Sequence, residues 1–395
     1  MKIAVIGAKG LPPRQGGIEH QCAEVYPRIV AEGHSVDLFG RATYTDSPWL
    51  DTYDFQGVKV ISMPDMRMRG VDAFVTSALG AIAATGKKYD IVHFHALGPS
   101  LFTVLPRIAT SAKVVVTCQG LDWQRAKWGT FSTRLIQMGE KAAVRYAHGL
   151  IVVSEALKSY FWQNYERETV YIPNAPASYG ESDPHFAYGQ QLGLTSGKYM
   201  VYVGRLVPEK RPDLLVEAFS QLKPPGWKLV LAGGVSDTQS YTTKLLEQVA
   251  NNPDIIFAGE LRGARLWEIV RGAGLFVLPS DLEGLPLAML EAIQEGIPVL
   301  ASDILPHQQL LNGGRGTMFT AGDGNACIRA MDWAVNHPQD LAVMAERAQK
   351  HIQAHYSWEN ISSETLKLYT TLLDTPDTVR VGANTGGLAG VMGKD

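Results

Sequence analysis

The stretch "GLFVLPSDLEGLPLAMLEAIQEGIPVLASD", residues 274–303, is a short apolar run, a polar turn, an apolar segment of helical length and a second short apolar run. Strand, helix and strand in that order make the βαβ unit of a parallel sheet. The middle segment is apolar on nearly every side, through Leu285, Leu287, Ala288, Met289, Leu290, Ala292 and Ile293. A helix that is hydrophobic all round is a buried one. Yet Glu283 stands just ahead of it and Glu291 inside it. A buried carboxylate is costly unless something pairs with it, so both glutamates need partners.

The same alternation extends in both directions. In the first half "KIAVIG", "SVDLFG", "GVKVISM", "DIVHFHA", "KVVVTCQG", "GLIVVSE" and "TVYIPN" read as strands, with helical segments such as 18–32 and 73–85 between them. The pattern weakens across "APASYGESDPHFAYGQQLGLTSG", which is rich in Gly, Ser and Pro. It resumes with "KYMVYVG", "WKLVLAGG", "DIIFAGE", "GLFVLPS", "IPVLASD" and "GTMFTAGD". "KIAVIGAKG" and "KYMVYVGRLV" open the two halves alike, each a strand running into a glycine turn. The expected fold class is therefore α/β, two Rossmann-like domains facing each other across a cleft. The expected division is 1–175 for the first domain, 176–198 for a linker and 199–355 for the second. An amphipathic helix over 356–374 is expected to pack back on the first domain, and 375–395 reads as a disordered tail.

Composition bounds the function. A chain of 395 residues is long for a single core and suits two domains. Net charge is -3, positive over the first 180 residues and negative over the rest, which argues against nucleic-acid binding. Cys22, Cys118 and Cys327 are far apart and in no metal-ligand spacing, so they read as reduced thiols. The opening apolar residues belong to a strand rather than a leader, and no apolar run approaches the roughly 20 residues that span a bilayer. The expected location is the cytoplasm, in part at the inner face of the cell membrane.

"GAKGLPPRQGGIEH" places Gly7, Gly10, Gly16 and Gly17 after the first strand. The spacing is not the tight G-x-G-x-x-G of a dinucleotide fold, although Asp37 in the next strand imitates its ribose-binding acid. Gly16 and Gly17 directly before a helix present bare N–H groups, which suit an anion or a sugar. Glu19 in that first turn suits the helix dipole. In "DIVHFHALG" the two imidazoles share one face; His93 reads as a core residue and His95, at the strand's C-terminal end, as a site residue. "GLDWQRAKWGTFSTRLIQMGEKAAVRYAHG" mixes Trp123, Trp128 and Phe131 with Arg125, Lys127, Arg134, Lys141 and Arg145, and "PDMRMRG" repeats the mixture with Met66, Arg67, Met68 and Arg69. Such segments suit a membrane surface or an ordinary solvated face.

The second half is sharper. Arg205 follows the strand-ending Gly204, and Lys210 comes five residues later. Two cations at the mouth of a parallel sheet are placed for a diphosphate. Ser280 and Asp281 close a strand, Glu283 and Gly284 form a turn, and Pro286 is suited to the first helical position. Glu291, a turn inside, can accept both hydroxyls of a cis-diol such as ribose.

With these residues in place the sequence resembles retaining, nucleotide-sugar-dependent glycosyltransferases of family 4, which have the two-domain GT-B fold. "EGLPLAMLE" matches their E-x7-E motif with Glu283 and Glu291, between "FVLPSD" and "GIPVLASD" and accompanied by "VGRLVPEK". The likeness runs from "GGIE" through "VHFH" and "IPN" to "YSWE", and the first half is similar to rhamnosyltransferase-like enzymes of bacterial cell-surface polysaccharide assembly. The resemblance implies that Arg205 and Lys210 neutralise the leaving nucleoside diphosphate. It implies that Glu291 holds ribose, and that Glu283 with the backbone of Gly284 and Leu285 holds the transferred sugar. His95 would lie near the reacting sugar, Gly16 and Gly17 would line the phosphate and acceptor side, and the loop Gly259–Arg262 would receive the base. The partners implied are a nucleotide-diphosphate sugar and a glycan or lipid-linked acceptor. No cofactor and no metal is expected, since no Asp-x-Asp loop is present and the cations would do the work of Mg²⁺. Two departures stand out: Gln119 in "TCQG", where many relatives carry His, and "ILPHQQLL" with His307, Gln308 and Gln309, where many carry Glu. The same architecture also serves nucleotide-sugar epimerases, and a catalytically silent nucleotide-binding protein is the third alternative.

Overall fold

The computed structural model describes residues 1–14, 16–45, 47–65, 71–124, 129–234, 239–250 and 252–375. The first half forms β1 (Lys2–Ile6), β2 (Ser35–Arg41), β3 (Thr52–Phe55), β4 (Val58–Met63), β5 (Ile91–His95), β6 (Lys113–Cys118), β7 (Gly149–Val152) and β8 (Val170–Tyr171). They join in one sheet in the order β3-β4-β2-β1-β5-β6-β7-β8. The second half forms β9 (Tyr199–Val203), β10 (Lys228–Ala232), β11 (Ile255–Gly259), β12 (Leu275–Leu278), β13 (Val299–Ser302) and β14 (Thr317–Phe319), in the order β11-β10-β9-β12-β13-β14. Every pairing is parallel except that of β3 with β4. Helices cover both faces, so the central strands are buried on both sides, as Ile3–Ile6 and Val114–Val116 show. That double burial is why they read as unbroken apolar runs.

Strand β3 is the one that the sequence pattern does not announce. It is an antiparallel edge strand, half exposed, joined to β4 by Gln56 and Gly57, both at positive φ (51° and 86°). A two-residue hairpin turn needs that backbone, but Gln-Gly is not among its usual dipeptides.

In each sheet the strand order reverses beside the opening strand, between β1 and β5 and between β9 and β12. Ligands of open α/β sheets bind outside the carboxyl ends of the strands at such a point. The chain from Ala175 to Lys198 carries one short helix, Ala187–Gln191. The last helix, Trp358–Asp374, is capped by Ser357, whose Oγ accepts from the Asn360 N–H, and lies along the helix Gly17–Ala31 of the first half. Arg28 meets Glu359 at 2.9 Å, the Trp358 indole N–H donates to the Pro176 carbonyl at 3.1 Å, and Tyr369 is fully buried. The Gly-rich segment 376–395, read from sequence as a tail, lies outside the described residues.

Candidate functional site

At the β9/β12 reversal two loops are tied to each other. The Glu209 carbonyl, in the turn Pro208–Lys210, accepts from the Asp281 N–H at 2.9 Å and the Leu282 N–H at 3.3 Å. Arg211 meets Asp281 at 3.1 Å, and Lys210 Nζ meets Glu283 Oε1 at 2.6 Å. The last pair is largely withdrawn from water, 17% and 10% exposed. Ser280 Oγ donates to the same carboxylate oxygen at 2.8 Å. Burial alone would raise the Glu283 pKa; the Lys210 charge and hydrogen bond, then His307 and the Ser280 hydroxyl, outweigh it and hold the carboxyl below its ordinary value. Arg205 follows Gly204, and its carbonyl accepts the Tyr202 hydroxyl at 2.8 Å. Lys210 and Glu283, 73 residues apart in the chain, thus share one mouth.

His307 belongs to this mouth. Its Nδ1 lies 2.9 Å from the Ser302 carbonyl, which can only accept, so Nδ1 carries the proton. Its Nε2 is then a buried lone pair with no hydrogen-bond partner in the structure. Burial lowers its pKa to about 4 against the opposing pull of Glu283, so the ring is neutral. Gln309 lies elsewhere. Its amide oxygen accepts from the Glu155 N–H at 3.3 Å and its nitrogen donates to the Tyr171 hydroxyl at 2.7 Å, so it bridges to the first domain. Of the "HQQ" positions, His307 is the one coupled electrostatically to Glu283.

The helix after the mouth starts one residue later than expected. Pro286 has ψ 86° and is its N-cap, with its carbonyl accepting from Met289 and Leu290, and the helix runs Leu287–Gln294. Glu291 sits inside it and meets Tyr179, whose hydroxyl donates to Oε2 at 3.2 Å, and the backbone of Ala177. Burial outweighs both bonds and raises the Glu291 pKa to about 7. Tyr179 stacks on Trp267 with ring centroids 6.0 Å apart, and Arg271 fastens the same segment through the carbonyls of Tyr179 and Gly180 and the Ser182 hydroxyl. The sequence reading did not find Tyr179. Its only signal was a lone aromatic in "APASYGESD".

The first domain closes the other side. A Cβ on Gly284 would lie 2.1 Å from the Gln119 carbonyl oxygen, and one on Gly17 2.7 Å from Leu287 Cδ1. At Gly284, where the neighbour is backbone, only glycine allows so close an approach; at Gly17 the neighbour is the end of a flexible side chain. Gly16, at φ 98°, is the N-cap of Gly17–Ala31, and the buried Glu19 accepts the Lys9 N–H at 2.8 Å, which fixes the glycine loop from within. The Gln119 amide is held at both ends: its nitrogen donates to Gln21 at 2.6 Å and its oxygen accepts from Asn174 at 2.7 Å.

Beneath that loop lies a buried neutral network. Tyr26 Oη is 2.7 Å from His95 Nε2 and 3.1 Å from His93 Nδ1. His93 Nδ1 also meets the Tyr369 hydroxyl at 2.5 Å, and its Nε2 meets Thr117 Oγ1 at 2.8 Å. The two imidazoles stack 4.4 Å apart. Burial, with the neighbouring imidazole in the case of His93, lowers both pKa values, that of His95 to about 3. His93 is thus a satisfied core imidazole, whereas His95 Nδ1 has no partner.

Other sequence candidates have settled roles. Gly259 has φ 70°, and its carbonyl accepts from Gly233; Arg262 turns back on Glu260 at 2.6 Å on an exposed surface. Leu285 is buried. Asp37 accepts the Tyr89 hydroxyl at 2.6 Å inside β2, which accounts for it without a ribose. Trp123 is not presented outward as a membrane anchor: it donates to the buried Glu140 at 2.7 Å, a carboxylate that also accepts from Tyr160 and Tyr165. Phe131, Arg134, Met138, Lys141 and Arg145 are all exposed on the helix Thr130–Tyr146. Their 3-4-3-4 spacing puts them on one face. Arg125, Lys127, Trp128, Met66, Arg67, Met68 and Arg69 lie outside the described residues.

Comparison with known proteins agrees with this geometry. Residues 16–175 match the family described as Glycosyl transferase 4-like domain, and residues 188–351 match Glycosyl transferases group 1. The chain is 25% identical to D-inositol 3-phosphate glycosyltransferase of Rhodococcus erythropolis, across 93% of this chain and 90% of that one. Among solved structures it resembles sucrose-phosphate synthase of Thermosynechococcus elongatus, with a TM-score of 0.79 and 22% identity over 94% of this chain and 98% of that one. It also resembles HepE of Anabaena, solved with UDP-glucose, with a TM-score of 0.74 and 18% identity over 94% of this chain and all of the other. The chain is a glycosyltransferase of GT-B fold, a 4-like domain followed by a group 1 domain.

Proposed function

We propose that the protein moves a sugar from a nucleotide-diphosphate sugar to a glycan or lipid-linked glycan acceptor, with retention of anomeric configuration and without a metal ion, in cell-surface polysaccharide synthesis. The observation that carries this reading is the Lys210–Glu283 pair at the switch point, with Arg205 in the same loop as Lys210 and Glu291 inside the helix that follows Glu283. A diphosphate at the β9/β12 mouth would meet Lys210 and Arg205. Charge develops there as the bond from C1 to the phosphate oxygen breaks, and stabilising such charge is usually the largest catalytic term. Lys210 Nζ has three hydrogens, so it bonds Glu283 and a phosphate oxygen together. Glu283, kept ionised by Lys210, accepts hydroxyls of the transferred sugar; Gly284 and Leu285 add backbone N–H groups, and Gly259 with Arg262 faces the base. Across the cleft, Gly16 and Gly17 line the phosphate and acceptor side and the unpartnered His95 Nδ1 faces the sugar. Retention follows if the acceptor oxygen bonds C1 on the face the phosphate leaves, with the departing phosphate oxygen taking the acceptor proton.

The donor clamp also bears on the base. A carboxylate that accepts both ribose hydroxyls favours a ribonucleotide, UDP or GDP, over a 2′-deoxyribonucleotide. The relative solved with UDP-glucose is consistent with that choice. The exposed stripe of Phe131, Arg134, Met138, Lys141 and Arg145, with Ile108 also exposed on the neighbouring helix, supports peripheral contact with an anionic membrane surface. The deciding experiment is a thermal-shift panel of UDP-, GDP- and dTDP-sugars on wild-type protein and Glu291→Ala. One donor should raise the wild-type Tm and leave the variant unmoved. Equal shifts in both proteins, or none with any donor in wild type, would sink the reading.

A further inference from the structure

We infer that Tyr179, in the segment that joins the two domains, is a positioning residue that keeps Glu291 ready to receive the donor's ribose. The inference rests on the proposed role of Glu291 and assigns a partner to it from outside the donor-binding sheet. Three observations carry it. The Tyr179 hydroxyl donates to Glu291 Oε2 at 3.2 Å across 112 residues of chain. The ring lies against the helix Gly263–Arg271, stacked on Trp267 and with the Arg271 guanidinium 5.8 Å from the ring centre. Arg271 and Gln294 hold the surrounding main chain, Gln294 by donating to the Ala177 carbonyl at 3.4 Å.

A carboxylate offers about four acceptor sites. One bond from Tyr179 and one from the Ala177 backbone leave room for two ribose hydroxyls, so the phenol complements the ligand rather than competing with it. The ionised form is the one that accepts both hydroxyls, and burial works against that form. The charged and titratable groups facing this site are Tyr179 itself, Arg271 and Glu295. Arg271 is already paired with Glu295 at 2.6 Å, and from the helix Pro338–His355 the neutral Gln349 bonds the Gln294 carbonyl. The Tyr179 pKa lies far above its ordinary value, through burial and then the Glu291 charge, so it remains a donor throughout the working range. Removing its hydroxyl takes away a bond that lowers the Glu291 pKa, and donor affinity should then fade at a higher pH.

The test compares wild type, Tyr179→Phe and Glu291→Gln by calorimetric titration with UDP and GDP from pH 5.5 to 8.5. In wild type the affinity for the nucleotide that binds should fall as pH drops through about 7. In Tyr179→Phe it should fall at a pH higher by about half a unit to one unit, so that affinity is lower about three- to eightfold near pH 6.5 and little changed at pH 8.5. The turnover number at saturating donor and pH 8.5 should stay within about twofold, because the phenol touches no reacting atom. A Tyr179→Phe profile superimposable on wild type overturns the inference, and so does a uniform loss at every pH, which would mark packing alone. Should Tyr179→Phe not fold, Gln294→Leu, which frees the Ala177 main chain that leads into the phenol, is expected to shift the profile in the same direction, and an unmoved profile counts against the inference. If instead Glu291→Gln binds as wild type does, the donor role of Glu291 fails, whatever Tyr179 shows.

Discussion

The two switch points of this molecule have the same topology and opposite electrostatics. At the mouth between β9 and β12 the buried polar groups are charged: Lys210 against Glu283, with Arg211 against Asp281 at the rim. At the mouth between β1 and β5 the buried Glu19 is turned onto the Lys9 N–H of its own loop, and the network beneath is neutral: two imidazoles, two phenols and a threonine hydroxyl. A buried charge pair is tolerated where each ion is matched, and it prepares a field for an incoming anion. A neutral network prepares no field but offers fixed donors and acceptors, which suits sugar hydroxyls. The same sheet design thus yields a half built for a diphosphate and a half built for uncharged groups.

The comparison breaks most sharply at Lys210. Lys210→Ala should lower turnover about a hundredfold to a thousandfold, the scale of losing one donor to developing charge. It should also destabilise the fold by about 3 to 5 kcal/mol, because Glu283 is left buried and unpaired. The double variant Lys210→Met/Glu283→Gln should regain most of the stability in urea and none of the turnover. If stability and turnover return together, the pair is structural and the charged half is not specialised for an anion.

Acid should separate the halves next. His95 is neutral when folded, with a pKa near 3, so between that value and about 6.5 the unfolded chain binds more protons. Stability therefore falls as pH falls through that window. Glu291 does the reverse: its folded pKa is about 7, above the ordinary value of 4.5, so the folded state binds more protons between them. Its contribution is present at low pH and is lost as pH rises through 7. Glu291→Gln should gain up to about 3 kcal/mol over wild type at pH 8 and almost nothing at pH 4.5. His95→Gln should flatten the acid limb instead. Urea midpoints of the two variants across pH 4.5–8 measure both, and parallel curves would erase the distinction.

How much of this was legible in the sequence follows the same division. Strands buried on both faces announce themselves as apolar runs, and the opening stretch placed Glu283 and Glu291 on either side of a buried helix start. Lys210 was legible because it stands in the turn after a strand. What was not legible is pairing across long chain separations. Tyr179 reaches Glu291 from an irregular segment with no period to betray it, and Tyr369 reaches His93 across 276 residues from a helix whose sequence shows only amphipathicity. The contacts of Gln309 and Trp123 were not legible for the complementary reason. A polar or aromatic side chain beside a motif carries no sign of which neighbour it turns towards, and these turn to Glu155 and Glu140.

The smallest effect concerns how the last helix is held to the neutral half. Tyr369→Phe removes one hydroxyl from His93 Nδ1, but Tyr26 Oη remains 3.1 Å from the same nitrogen, so no buried group is orphaned. The loss should be that of one ordinary hydrogen bond, about 1 kcal/mol. Tyr26→Phe differs, since it leaves His95 Nε2 with no partner in a ring whose Nδ1 already has none, and an unsatisfied buried group costs about 1 to 3 kcal/mol. Tyr26→Phe should therefore exceed Tyr369→Phe in urea denaturation, and neither should weaken nucleotide binding, because both lie on the neutral side. If Tyr369→Phe proves the more damaging, the helix Trp358–Asp374 is held mainly through that one phenol. The weight placed on Trp358 and on the Arg28–Glu359 pair would then be wrong.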